Sequence, residues 1–231
     1  MNPLKQFFAH CARPQGRMGR LMVRGMNVGH KPIASWGLAQ LDGEGSFQRI
    51  GEFGCGGGAN VQQLLHKYPG CCISAVDFSE ISVQEAQRRN RAAIDSGRVQ
   101  VIQSDVAALR LAAESFDLVT AFETAYFWPE GAFAKVHELL QAGGLFCIVH
   151  ELDGSTAMAR FWERWVPGLK VPSADELQAR LRAAGFARVE TIHRPRFGHL
   201  CVKAWKMCTL GMREGKNYEC QRHQARTRSA L

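Results

Sequence analysis

A chain of 231 residues, 46% apolar and 22% charged, has material for one α/β domain with extensions and too little for two full domains. No apolar run approaches the roughly 18 residues of a spanning helix, and the composition excludes collagen-like, disordered and disulfide-scaffold classes. The net charge of +8 is uneven: residues 1–41 carry +6 without one Asp or Glu, residues 207–231 carry +3, and residues 42–206 carry −1.

In chain order, residues 1–41 form a basic, Gly/Pro-punctuated extension. Its apolar set, Met18, Leu21, Met22, Val23 and Met26, suits a helix that covers a ligand crevice or one that packs into the core. From about residue 47, β-branched apolar runs alternate with amphipathic stretches. The expected strands are Gln48–Phe53, Cys72–Asp77, Val99–Asp105, Phe116–Phe122, Leu145–Glu151, Arg188–His193 and His199–Lys206. Helical patterns run over Ser79–Ser96 and over Ser173–Ala184, the latter opened by a capping box (Ser173, Glu176) and closed by Gly185. Such alternation demands crossover connections. The chain therefore reads as α/β, with a mostly parallel sheet covered on both faces and a ligand crevice at the carboxyl ends of its strands. The domain reading is a basic N-terminal extension (1–41, a candidate lid), a ligand-binding domain (42–206) and a basic tail (207–231) expected to be poorly ordered.

Eight cysteines form no Cys-x-x-Cys pair and no Cys/His zinc spacing. Those inside apolar runs, such as Cys147 and Cys201, act as small hydrophobes. The reading is a reduced, cytoplasmic protein without a metal.

The strongest local signal is Ile50-Gly51-Glu52-Phe53-Gly54-Cys55-Gly56-Gly57-Gly58-Ala59-Asn60, a strand entering a glycine-rich turn with a helix starting near Val61. Glycines allow the sharp turn and close approach of a ligand, and the helix start favours an anionic group. Taken alone, Gly54-x-Gly56-x-x-Ala59 also fits a dinucleotide fingerprint. Three acidic positions separate the readings. Glu52 stands where a pyrophosphate would be repelled and an ammonium favoured. Asp77 ends the second strand, placed for ribose hydroxyls. Asp105, after Ser104, ends the third, placed for an exocyclic amine. S-adenosylmethionine accounts for all three.

At these positions the chain resembles the class I S-adenosylmethionine-dependent methyltransferases of small-molecule type, from about Arg13 to Lys206. The carriers are Glu-Phe-Gly-Cys-Gly-Gly-Gly (52–58), Ala-Val-Asp-Phe-Ser (75–79), Gln-Ser-Asp-Val (103–106), Ser-Phe-Asp-Leu-Val-Thr-Ala-Phe-Glu-Thr (115–124) and Glu-Leu-Leu-Gln-Ala-Gly-Gly-Leu-Phe (138–146). Gly25-Met26-Asn27-Val28-Gly29-His30, Trp36-Gly37-Leu38 and Tyr126-Phe127-Trp128-Pro129 look like a subset of that family. Glu52 departs from the Asp that most relatives carry. The resemblance implies a Rossmann-like seven-stranded sheet, parallel except for one strand near the carboxyl end. It implies that Glu52 with Gly54, Cys55, Gly56 and Gly58 takes the amino-acid moiety of the cofactor. Asp77, flanked by Phe78 and Ser79, would serve the ribose and adenine. Ser104, Asp105 and Val106 would hold the adenine edge, and Glu123 would lie near the sulfonium.

On the acceptor side, Tyr126, Phe127 and Trp128 follow the fourth strand, and His30, His150 and Glu151 are candidate proton acceptors, with Asn27 nearby. Each has a plainer reading as well: Asp77 or Ser79 as a helix cap, Asp105 as a turn residue, Asn27 as a turn cap, Arg13, Arg17, Arg20 and Arg24 as a solvated face. No Asn/Asp-Pro-Pro-Tyr/Phe run and no Pro-Cys nucleophile follows the fourth strand, which favours a small-molecule acceptor over a nucleic acid. A nicotinamide-dependent oxidoreductase and a non-catalytic adenosylmethionine-binding scaffold are the competing readings.

Overall fold

Strand–helix alternation resolves into one seven-stranded sheet of order β3-β2-β1-β4-β5-β7-β6, in which only β7 runs antiparallel to its neighbours. The computed structural model describes residues 3–129, 131–194 and 197–208. The tail expected to be poorly ordered falls almost wholly on residues 209–231, outside the described residues. The strands are β1 (Arg49–Phe53), β2 (Cys72–Asp77), β3 (Val99–Gln103), β4 (Phe116–Phe122), β5 (Leu140–His150), β6 (Arg188–Arg194) and β7 (His199–Trp205). Six of the seven begin within one residue of their expected starts. The exception is β5, which starts at Leu140 because Phe116 pairs with Leu140 before the register shifts to Leu118 opposite Leu145.

The helices are α1 (Pro3–Ala12), α2 (Gly16–Gly29), α3 (Lys31–Ala39), α4 (Ala59–Lys67), α5 (Glu80–Arg89), α6 (Arg91–Asp95), α7 (Ala132–Leu139), α8 (Ala157–Trp165) and α9 (Ala174–Ala183). Period-two alternation along the strands divides the interior. Leu118, Cys147 and Val149 face α3 and α4, whereas Val119, Phe146 and Ile148 face α7 and α9. A third, smaller cluster joins α1 to α8 through Phe8 and Trp162, whose rings lie 5.5 Å apart edge to face.

The single helix expected over Ser79–Ser96 is broken at Asn90. Its amide Nδ2 donates to the carbonyls of Gly58 (3.1 Å) and Ala86 (2.9 Å), so the chain gives up helical continuity to brace the glycine loop. The capping box at α9 is present as read, with Ser173 Oγ accepting from Glu176 N and the Glu176 carboxylate accepting from Ser173 N. The N-terminal extension divides its work. α3 buries Ile33, Ala34 and Leu38 on the sheet, and Gly37 packs so closely that a Cβ there would stand 2.6 Å from Val149. α1 and α2 instead pass over the carboxyl ends of the strands.

The arginines of α2 are more than a solvated face. Glu85 of α5, its side chain only 2% exposed, accepts from Arg24 at 3.1 and 3.2 Å and pairs with Arg20 and Arg88. The Arg24 guanidinium, first among these, holds the Glu85 carboxyl below its ordinary range. α2 is thereby fastened to the sheet domain.

Candidate cofactor and acceptor cleft

β1 ends at Phe53, and the chain turns at once: the amides of Gly54 and Cys55 both donate to the carbonyl of Val76, at 2.7 and 2.9 Å. Gly54 has a φ of +79°, and a Cβ there would lie 1.9 Å from Thr124 Oγ1, so the turn and its contact with the end of β4 both require glycine. Gly58, at φ +74°, caps α4. Asn27 of α2 presses on the same loop at Gly57.

The loop floors a cleft enclosing about 740 Å³ of free space, open solvent at its mouth included. Gly54, Cys55, Gly56, Asp77, Phe78 and Glu123 line it, with Asn27 and His30 from the extension. Val23 and Met26 of α2 and Cys11 and Ala12 of α1 form its roof, so the candidate lid helices lie over the cleft. A second recess of about 320 Å³ shares the Gly54, Asp77, Phe78, Thr124 and Phe127 walls and adds Ser104, Asp105, Val106 and Trp128. The two recesses adjoin along the carboxyl ends of β1–β4, with those shared residues between them.

Asp77 is central to it. Its carboxylate accepts from Gly56 N and Ser79 N, both at 2.9 Å, and burial raises its pKa against those two bonds. Each oxygen keeps a lone pair for a further donor. Ser79 is a helix cap, accepting from Ser82 N, and is buried under Pro14. Phe78 is 40% exposed, with the Arg13 guanidinium 5.7 Å above its ring. Asp105 lines the second recess while accepting from Ala107 N at 2.8 Å, so its turn bond does not withdraw it from the recess.

Glu52 does not line the cleft. It is fully buried beneath the loop, accepting from Thr120 Oγ1 on the paired strand and from Asn60 Nδ2 at 3.4 Å. Asn60, in the first turn of α4, is the residue that faces the cleft. Burial pushes the Glu52 carboxyl up to about 8, against the two hydrogen bonds.

The acceptor side departs further from expectation. Tyr126 is buried behind Glu123 and lines neither recess. The short 3-10 turn Ala125–Phe127 directs it inward, where its ring stacks on His150 at 3.9 Å and its hydroxyl donates to Glu123 and accepts from Leu152 N. Phe127 lines the cleft in its place. Trp128 faces the second recess, stacked parallel to Phe146, and so belongs to the expected adenine side. His150 is fully buried with both ring nitrogens unpaired, and burial pushes it down to about 3, which removes it as a proton acceptor at neutral pH.

Glu123 occupies the left-handed region at φ +57°, an uncommon conformation for a side-chain-bearing residue and one that recurs at functional sites. Its carboxylate accepts from the Glu151 amide, and burial followed by the neighbouring Glu151 charge pushes it up to about 8. Burial lowers the His30 pKa, with Glu151 opposing. Glu151 itself is exposed at the mouth. Sequence reasoning missed Asn60, Thr120 and Thr124 as site residues. Thr120 follows only from knowing that β4 pairs with β1 in a register that sets it against Glu52.

Residues 50–144 match the family of methyltransferase domains. The chain is 25% identical over 162 residues to a malonyl-[acyl-carrier protein] O-methyltransferase of Paenibacillus sp. (strain JDR-2), covering 64% of this chain and 58% of that one. It spans a little over half the length of the first curated relatives it matches. Its fold is similar to a chain in the complex of the Haloferax volcanii Trm112 methyltransferase activator with a methyltransferase (TM-score 0.71, 20% identity, 87% of this chain and 98% of that one). It is also similar to human N-acetylserotonin methyltransferase, solved with S-adenosylmethionine (TM-score 0.68, 15% identity, 82% of this chain and 56% of that one).

Proposed function

Starting from a chain that belongs to the class I S-adenosylmethionine-dependent methyltransferases, we propose that it transfers the methyl group of S-adenosylmethionine to a small-molecule acceptor in the roofed cleft. The observation that carries this reading is the pair of adjoining recesses in which Gly54, Asp77 and Phe78 are shared, one roofed by α2 and the other walled by Ser104, Asp105 and Val106. The family match falls on the methyltransferase side of the sequence alternatives, away from a nicotinamide enzyme.

The residues present fit the cofactor. Two carboxyls, the fully buried Glu52 and the half-buried Glu123 in the cleft wall, are pushed up to about 8 by desolvation, and cations brought beside them would favour their ionisation. Asn60, held by Glu52, and the amides at the start of α4 are placed for the amino-acid moiety. Asp77 would take the ribose, and Phe78, Ser104, Asp105 and Val106 the base. When bound, S-adenosylmethionine supplies an electrophilic methyl on a leaving group that needs no protonation. The protein's own task is alignment and exclusion of water. The roof of Val23 and Met26, clamped through Arg24 and Glu85, supplies both. That enclosure also supports a small acceptor over a nucleic acid strand.

The described cysteines are free thiols, several in the core, which supports a reduced, cytoplasmic setting. No helix among the described residues is long and apolar enough to cross a membrane.

Calorimetric titration with S-adenosylhomocysteine and with NADH tests the assignment. One equivalent of the nucleoside should bind with micromolar affinity and NADH should not. Binding of NADH alone would establish the oxidoreductase instead.

A further inference from the structure

Three side chains from distant parts of the chain converge at the acceptor end of the cleft: His30 at the junction of α2 and α3, Glu123 after β4 and Glu151 after β5. One ligating atom from each lies within 4.8 Å of the others. Among the described residues, neither the His30 ring nor the Glu151 carboxylate makes a hydrogen bond or an ion pair, and no basic side chain pairs with Glu123.

We propose that His30, Glu123 and Glu151 form a divalent-cation site built of one imidazole nitrogen and two carboxylates. The donor set is mixed nitrogen and oxygen, which suits first-row divalent ions such as Mn²⁺. Bonds of about 2.0–2.2 Å place neighbouring ligand atoms roughly 3–4 Å apart. A spread of 4.8 Å therefore closes by side-chain rotation, and Glu151, exposed at the mouth, is free to rotate. One further feature favours the site over an incidental cluster: the Glu123 carboxylate is oriented from behind by the Tyr126 hydroxyl and the Glu151 amide, the outer support that ligating carboxylates usually have. Three protein ligands leave coordination positions open, and an oxygen-bearing acceptor is the class that would fill them. That role for the ion rests on the methyltransferase reading; its binding does not.

The test is titration of the metal-free full-length chain with Mn²⁺, followed by calorimetry and by loss of the free-ion paramagnetic resonance signal. Mn²⁺ is the probe because it prefers oxygen and nitrogen to the chain's thiols. One equivalent should bind, and His30→Ala and Glu151→Gln should each weaken it by at least about tenfold. Both variants should melt cooperatively at a midpoint close to that of the wild type, which reports folding separately from metal uptake. A folded wild-type chain that takes up no Mn²⁺ below about 1 mM overturns the site, as does one-equivalent binding retained in both variants. Failure to bind S-adenosylhomocysteine would instead overturn the methyltransferase reading and leave the metal result standing.

Discussion

The two halves of the cleft are built in different ways. On the cofactor side, Gly54–Gly58, Asp77 and Ser104–Val106 follow the ends of β1, β2 and β3, three consecutive strands in one parallel register. Their positions are set by the backbone: a turn that only glycine can make, a carboxylate fixed by two amides, a short 3-10 turn capped by Asp105. On the acceptor side, Glu123 and Glu151 follow the paired ends of β4 and β5, and His30 joins them only because α2 folds back over the sheet. The first half is local geometry repeated along the sheet edge, and the second is tertiary assembly. Perturbing each half should give different results.

The largest effect is expected on the local side. Gly54→Ala imposes a strained backbone at φ +79° and drives a Cβ to 1.9 Å from Thr124 Oγ1. Strain of about 1–3 kcal/mol and overpacking of about 1–3 kcal/mol together should cost roughly 2–6 kcal/mol, seen as a lower urea midpoint. An unchanged midpoint would mean that the turn adapts and is less rigid than its hydrogen bonds suggest.

This division also decides what could be read from the sequence. The strands were legible because buried parallel strands are continuous apolar runs, and the glycine turn and Asp77 because their spacing follows from strand and turn geometry. The break at Asn90 was not, since Asn90 leaves the helix to reach the carbonyl of Gly58, far away in sequence. Glu52 stands out in the sequence as an acidic residue before the glycine turn, but its burial behind Asn60 does not, because its partner Thr120 lies across a strand pairing. Tyr126 and Trp128 were assigned to an acceptor pocket from position alone. Tyr126 lies inside the 3-10 turn and Trp128 in the extended residue that ends it, which places one behind Glu123 and the other in the second recess. Side-chain direction at a strand end is a tertiary fact.

Asp77→Ala is the next test. It removes the acceptor of two loop amides and the group placed for the ribose, so S-adenosylhomocysteine binding should weaken by about 1.5–3 kcal/mol, the scale of hydrogen bonds to a charged group. Calorimetry on the folded variant reads this directly, and unchanged affinity would remove Asp77 from the cofactor side.

The pH dependence of stability distinguishes the halves. Glu52 and Glu123 are pushed up to about 8 in the folded chain against an unfolded value near 4.3, so the folded state holds protons that the unfolded state has released. Their contribution is full below the unfolded value and is lost as pH rises through about 8. His150, pushed down to about 3, acts oppositely, but its effect is confined to pH below its unfolded value of about 6.5. Between pH 6.5 and 8 the carboxyls alone remain, and stability should fall by up to about 1.4 kcal/mol per unit for each proton released. Glu52→Gln should flatten one share of that slope and Glu123→Gln the other. S-adenosylhomocysteine, which carries the ammonium and lacks the sulfonium, should flatten the Glu52 share more. A flat urea midpoint across this window in the wild type would show both carboxyls to be charged throughout.

The smallest effect tests how the acceptor half is held together. α2 carries Val23, Met26 and Asn27 to the roof, and its arginines meet Glu85, a carboxylate with almost no exposure, on the outer side of the same helix. Glu85→Gln keeps the size and one acceptor oxygen but removes the charge that gathers Arg20, Arg24 and Arg88. The pairs are solvent-screened on the arginine side, so the change should be at most about fivefold, the range of an exposed ion pair. It should appear in the rate at which S-adenosylhomocysteine leaves, measured by stopped flow, and scarcely in the urea midpoint, because the sheet does not depend on the roof. An equal loss in both would mean that α2 is part of the folding core and that the two halves of the cleft are one cooperative unit. A faster release alone would establish the roof as a separately held element that gates the cleft.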